Sequence, residues 1–183
     1  MAVPSLPDAI VIDIPDPSLV VLVGAAGSGK STFAARHFGA DEVLSSDAFR
    51  ALVRGDAADQ TATRPAFAAL HRALASRMLA RRLTVIDATN VQAHARRALV
   101  ARATGAGIPA IAIVLDLPPD VVLARNASRS GAAVVPEAAV LGQLGALAAA
   151  SDGDQPPWRG FTTVIRLRTP GEIDAVVVRR LAT

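Results

Sequence analysis

The sequence of 183 residues predicts an α/β fold, a mainly parallel sheet with helices on both faces, on three observations. Short apolar runs alternate with helical patterns along the whole chain. Those runs are continuous, as strands buried on both faces require. A glycine-rich segment, Gly24 to Ser31, lies between the first strongly apolar run and a helical pattern, which is the strand, turn and helix junction of a parallel sheet.

Taken in order, Ala9 to Ile14 reads as an edge strand, Leu19 to Val23 as a buried strand and Ser31 to His37 as the opening of a helix. Glu42 to Ser45 is the next strand-like run, and a short helix starts around Asp47. Ala66 to Arg81 carries a helical pattern, Leu83 to Asp87 a strand, Ala93 to Ala103 a helix and Ile108 to Leu115 a strand. A helical stretch begins near Pro119, and another runs from Pro136 to Ala149. Ser151 to Gly160, with Asp, Gly, two prolines and Trp158, is a loop. Thr162 to Leu167 reads as the last strand and Glu172 to Leu181 as a closing helix. No repeat or low-complexity linker interrupts the series, and the length suits one core, so residues 1–183 are expected to form a single domain.

Half of the residues are apolar, and much of that is alanine, which suits helices packed closely on a sheet. The absence of cysteine excludes disulfides and thiolate metal sites. The start lacks a basic leader, and the longest apolar or small stretch, around Ala138 to Ala150, is too short for a membrane span and is broken by Gln143. A cytoplasmic protein without a membrane partner is the expectation. Net charge is +3, but Arg64 to Arg102 holds eight arginines against one acid, Asp87. That segment either attracts a polyanion or presents the solvated faces of two helices.

The chain has one lysine among its nineteen basic residues, Lys30, and it stands in Gly24-Ala25-Ala26-Gly27-Ser28-Gly29-Lys30-Ser31, a complete match to G-x-x-x-x-G-K-[ST]. A compact ammonium enters the slot between the β- and γ-phosphates of a nucleotide; a planar guanidinium is too wide and too directional for it. Gly24, Gly27 and Gly29 let the backbone turn its N–H groups inward as an anion nest, and Ser28 and Thr32 complete the binding stretch at the helix N-terminus. Ser31 would place its hydroxyl on a magnesium ion. ATP with Mg2+ is the expected pair. A glycine turn without a ligand is the plain alternative.

Ligands of such a sheet collect at the carboxyl ends of the strands, and those ends are polar here. Asp47 and Arg50 are three residues apart at a helix start, so one face can carry a carboxylate that accepts a hydroxyl proton and an arginine that holds the acceptor's anionic substituent. An N-cap with a helical ion pair is the plain reading of the same residues. Asp87 closes an apolar run in the manner of a magnesium-holding carboxylate, or caps the next turn. Thr89 and Asn90 follow it as donors to phosphate or acceptor, or as an Asx turn. Arg125 and Arg129, at i and i+4 on the helical stretch after Pro119, form a basic stripe able to neutralise charge on a transferred group, with Gly131-Ala132-Ala133 as a hinge. His71 and His94 lack partners at metal-ligand spacing. Trp158 is the one aromatic with a possible part in holding the nucleotide base.

With that loop, Ser45-Ser46-Asp47-Ala48-Phe49-Arg50, Asp59-Gln60-Thr61, Phe67-Ala68-Ala69-Leu70-His71, Thr84-Val85-Ile86-Asp87-Ala88-Thr89-Asn90-Val91 and Leu117-Pro118 through Ala124-Arg125-Asn126 all in order, the chain resembles the kinase module of bacterial polynucleotide kinase-phosphatase from about Leu19 to Val178. The resemblance implies a P-loop kinase-type sheet with a helical lid at about 119–136. It also implies ATP- and Mg2+-dependent transfer of the γ-phosphoryl group to the 5′-hydroxyl of DNA or RNA. By that resemblance Asp47 is the general base, Arg50 binds the acceptor's 3′-phosphate, Lys30 and Ser31 hold nucleotide and metal, and Arg125 belongs to the lid. Two features depart from the family: its third lid arginine is Ala132 here, and the helix after the lid, basic and polar in the family, is nearly all apolar from Ala138 to Leu144.

Two other functions fit the same residues: a small-molecule kinase, favoured by the weak overall charge, and a nucleotide-binding module whose catalysis has decayed. In either enzyme reading, Lys30→Arg is expected to lose most activity, measured as initial rate at saturating ATP. Retention of most of the rate in that variant would show that the loop is not a nucleotide cradle.

Overall fold

The computed structural model describes residues 9–54, 63–152 and 158–182. The Asp59-Gln60-Thr61 segment lies outside them. In chain order the elements are β1 (Ile10–Asp16), β2 (Leu19–Val23), α1 (Lys30–His37), β3 (Val43–Ser45), α2 (Ser46–Arg54), α3 (Thr63–Leu79), β4 (Thr84–Asp87) and α4 (Ala93–Gly105). They continue with β5 (Ala110–Leu115), α5 (Pro119–Ala127), α6 (Glu137–Asp152), β6 (Thr163–Leu167), α7 (Pro170–Asp174) and β7 (Val176–Ala182).

Five strands form one parallel sheet in the order β3-β4-β2-β5-β6. The expected parallel sheet with helices on both faces is what the chain adopts, and the continuous apolar runs have a simple origin. Along β5, Ala110, Ala112 and Val114 enter one hydrophobic cluster, while Ile111, Ile113 and Leu115 enter the cluster on the opposite face. β2 divides in the same way, Leu19, Val21 and Val23 against Val20 and Leu22. The small side chains of β5 lie on the face covered by α3, α4 and α6, through Leu70, Leu74, Leu99, Ala103 and Leu147. The large ones meet α1 through Phe33, Ala34 and Phe38. A third cluster, with Ala25, Ala26, Leu117, Val122 and Val140, joins the glycine loop to α5 and α6.

The structure corrects two expectations. Glu172 to Leu181 is not a helix. Thr169 caps a start, accepting from the Glu172 N–H at 3.1 Å, while the Glu172 carboxylate accepts from Arg168 N at 2.5 Å. Those caps sustain a single turn, because the β-branched run Val176-Val177-Val178 follows and prefers a strand. Ala9 to Ile14 is a strand as expected, but not an edge of the main sheet. β1 pairs in parallel with β7, Ile10 opposite Val176 and Asp13 opposite Arg179, in a separate two-stranded ladder. Its Ile12, Ile14 and Val176 complete the cluster on the α1 face, and Arg179 closes a bidentate ion pair on Asp13 at 2.6 and 2.7 Å.

The ladder is therefore part of the core. Ile14 is fully buried and Val11, on the other face of β1, is half exposed. Ile14→Ala is expected to cost about 2–5 kcal/mol of stability in urea unfolding, against about 0.5 kcal/mol for Val11→Ala. Equal losses in the two variants would detach the ladder from the core.

Candidate active site

The sheet register brings three strand ends level. Ser45 of β3 lies opposite Asp87 of β4, and Asp87 lies opposite Leu22 of β2. The residues just past those ends, the glycine loop, Ser46 to Arg50 and Ala88 to Asn90, consequently meet along one edge. The loop is held from beneath by Gly24 N–H, which donates to Thr89 O at 3.0 Å.

Lys30 is 8% exposed, and its Nζ donates to Ala25 O at 2.9 Å and to Ser28 Oγ at 3.4 Å. Both acceptors are neutral. Burial pulls the ammonium pKa down from its ordinary 10.5 to about 8, with the Asp87 carboxylate holding it up in part and Arg129 working against it. Asp87 shows the converse: burial pushes its carboxyl up, opposed by a hydrogen bond from Ser31 and by the Lys30 charge. A buried ammonium answered mainly by neutral oxygens fits an arriving anion. Ser31 and Asp87 set two hard oxygen donors side by side, which suits Mg2+, an ion that takes its remaining ligands from water and phosphate. Among the described residues no group of three or more His, Cys, Asp or Glu could hold a metal ion.

Two cavities flank the loop. One, of about 370 Å³, is lined by Gly27, Ser28, Gly29 and Thr32 with Arg125 and Arg129, and is walled on its far side by Phe33, Arg36, Ile173 and Asp174. The other, of about 270 Å³, is lined by Lys30, Ser31, Asp47, Arg50, Asp87, Thr89 and Gln143, again with Arg129. Arg129 thus belongs to both. Asp47 and Arg50 form an ion pair across the first turn of α2, with Asp47 63% exposed and Arg50 17%. The carboxylate is the exposed member of the pair, and the guanidinium is largely covered.

The remaining sequence-predicted residues divide clearly. Arg125 sits over the loop, its Nη1 at 3.6 Å from where a Cβ on Gly29 would stand. Gly27 has φ +91°, and a Cβ there would lie 2.5 Å from Val122 O, so this glycine lets α5 rest directly on the loop. Arg125 and Arg129 do not share a helical stripe as the i, i+4 spacing predicted. α5 ends at Ala127, Arg129 lies in the turn beyond it, and Gly131–Ala133 forms a single turn of 3-10 helix. Asn90 is not in either cavity. Its Nδ2 donates to Leu22 O at 2.8 Å and Ala88 O at 3.3 Å, pinning the exit of β4 to β2. Trp158 is also elsewhere, its ring against the guanidinium groups of Arg96 at 4.4 Å and Arg166 at 5.6 Å. Sequence reasoning missed Gln143 and the α7 wall. Gln143 had a signal, as a lone polar residue in an apolar helix; the wall had none, because α7 was hidden inside a helix that does not form.

The parallel sheet with helices on both faces and the glycine loop define a P-loop kinase-type domain, a fold that implies nucleotide binding. Residues 19–150 match a family model described as an AAA domain, and the chain belongs to that family. Among solved structures it is similar to a chain of the Pnkp1/Rnl/Hen1 RNA repair complex, at 26% identity and TM-score 0.64 over 76% of this chain and 46% of that one. This chain therefore spans about half of that relative's length. It is also similar to a sugar kinase from Janibacter sp. HTCC2649, at 25% identity and TM-score 0.57 over 85% and 88% of the two chains. Kti12 of Chaetomium thermophilum, in complex with ADP-AlF3, shares the fold at 16% identity and TM-score 0.62, over 85% of this chain and 93% of its own. No curated protein sequence matches. Among the described residues no helix is long and apolar enough to cross a membrane.

The depressed pKa of Lys30 makes nucleotide affinity depend on pH. Phosphate needs the charged ammonium, and the free protein loses that proton near pH 8. ATP affinity at constant ionic strength is expected to fall as pH rises through about 8, well before an ordinary lysine would titrate. An affinity that stays flat to about pH 9.5 would contradict it.

Proposed function

We propose that this chain is an ATP-dependent phosphotransferase that moves the γ-phosphoryl group to the 5′-hydroxyl of a nucleic-acid end, as a single domain over residues 1–183 with a lid at about 119–136. One observation supports it above the others: Asp47 and Arg50 line the same cavity as Lys30, Ser31 and Asp87, and Arg129 joins that cavity to the one along the glycine loop. Donor phosphate and acceptor hydroxyl can then meet in line at the boundary.

In this reading the loop from Gly24 to Thr32 cradles the phosphates and Lys30 bridges the β- and γ-groups. Mg2+ held by Ser31 and Asp87 would neutralise charge on the phosphates. Asp47 takes the proton from the 5′-hydroxyl as its oxygen bonds to the γ-phosphorus, and the bond from that phosphorus to the β–γ bridging oxygen breaks to leave ADP. Arg50 leaves its ion pair with Asp47 to hold the acceptor's 3′-phosphate, which frees the carboxylate to act as a base. Thr89 adds a hydroxyl to the acceptor wall, and Arg125 and Arg129 neutralise the transferring group.

A small-molecule kinase is the second reading. The sugar kinase match extends over nearly its whole length, and the acceptor cavity is only about 270 Å³. Initial rates with a 5′-hydroxyl oligonucleotide and with small sugars and polyols, at saturating ATP, separate the two. The proposed function predicts turnover on the oligonucleotide alone. It further predicts that Asp47→Asn lowers that turnover by roughly 10² to 10⁴ with ATP affinity unchanged, and that Arg129→Ala lowers turnover more than ATP affinity. Binding of ATP without transfer to any acceptor would leave a nucleotide-binding module.

A further inference from the structure

From Ala138 to Ala150, α6 carries a single polar side chain, Gln143. One end of its amide is accounted for: Oε1 accepts from the N–H of Ala26, in the glycine loop, at 2.8 Å. That N–H belongs to the same peptide group as Ala25 O, the acceptor of Lys30 Nζ. Lys30 and Gln143 therefore hold opposite edges of one peptide plane. With Oε1 committed to a donor, the amide has one orientation, and its two N–H bonds are carried on Nε2. Among the described residues Nε2 makes no hydrogen bond, and Gln143 lines the cavity that holds Lys30, Asp87 and Arg129.

The helix that presents this amide is held in place. Asn126, at the end of α5, donates from Nδ2 to Val135 O at 2.7 Å and accepts from Val135 N at 3.2 Å, so the segment entering α6 is stapled to α5. α5 rests on Gly27 through Val122 O, and Val122 and Val140 pack with Ala25 and Ala26. The loop, α5 and α6 form one packed unit.

We propose that Gln143 is a γ-phosphate-binding residue: its Nε2 donates to an oxygen of the terminal phosphate, a neutral donor set beside the Lys30 and Arg129 cations. The inference rests on the loop holding a nucleoside triphosphate, as in the function proposed above, and is indifferent to the acceptor. On this proposal ATP and ADP are told apart, because Gln143 lines the cavity beyond the loop and not the one along it.

Calorimetric titration of the full chain with Mg2+ and either ADP or a non-hydrolysable ATP analogue tests it in wild type, Gln143→Ala and Gln143→Glu. The glutamate retains an oxygen for Ala26 N–H but has no donor to offer, so it separates phosphate binding from support of the loop. The expected result is ADP affinity within about threefold of wild type in both variants, which also reports an intact fold. The analogue should bind about tenfold more weakly to Gln143→Ala, and at least as weakly to Gln143→Glu, where like charges meet. Wild-type behaviour of Gln143→Glu would make the residue a loop buttress and overturn the proposal, as would equal losses for both ligands or no loss for either. A wild type that binds neither nucleotide overturns it together with the phosphotransferase reading. Failure to phosphorylate an oligonucleotide, by contrast, removes only the acceptor assignment.

Discussion

Burying the Lys30 ammonium against Ala25 O and Ser28 Oγ leaves a positive charge inside the protein that water barely reaches, and the architecture around it follows from that placement. A charge so placed is costly unless an anion meets it, which is why its pKa is pulled down and why Asp87, sharing the same low-dielectric pocket, is pushed up. Together they keep a partial balance that a phosphate completes. Asp87 is in place because β4 lies between β3 and β2, and Lys30 because α1 starts at the end of the loop that leaves β2.

The other requirement is close approach. The loop runs between β2 and α1 with α5 directly on top of it, and only the missing side chain of Gly27 makes room for Val122 O. That contact, with the small side chains of Ala25 and Ala26 against Val122 and Val140, packs α5 and α6 against the glycine loop. This packing accounts for only part of the apolar character of α6, a departure from the basic helix of the family it resembles, since Leu141 is 47% exposed. Its Val140 and Leu147 are buried, and Gln143 is the side chain that reaches the loop. The cations of the site come from elsewhere: Arg50 from α2, Arg125 from α5 and Arg129 from the turn beyond it.

Much of this was legible in the residues. Local signals specified β2, the glycine loop, α1, β4 and β5, because a strand buried on both faces must be apolar throughout and a phosphate loop must be rich in glycine. Positions adjoining strand ends, Asp47, Arg50, Asp87 and Thr89, were legible as candidates because the carboxyl edge of a parallel sheet is where ligands collect, and they line one cavity. Asn90 shows two uses of one group: the amide that could meet a ligand satisfies the carbonyls at a strand exit, Leu22 O and Ala88 O. Trp158 does likewise, since a flat ring serves a guanidinium as well as a base.

By itself, then, the sequence determined the fold class, the phosphate loop with its one lysine, and the set of polar strand ends that could act with it, all of which rest on contacts within a few residues. Tertiary structure decided what depends on partners distant in the chain. It paired the strand from Val176 to Ala182 with β1, more than a hundred and fifty residues away, as Asp13 opposite Arg179 shows. It broke the arginine stripe after Ala127 and still brought both arginines to the nucleotide side, because the chain folds back where Asn126 holds Val135. It also carried Gln143 across from an apolar helix to the amide of Ala26. Pairing and burial across such separations are set by which surfaces meet, and local pattern carries no record of that.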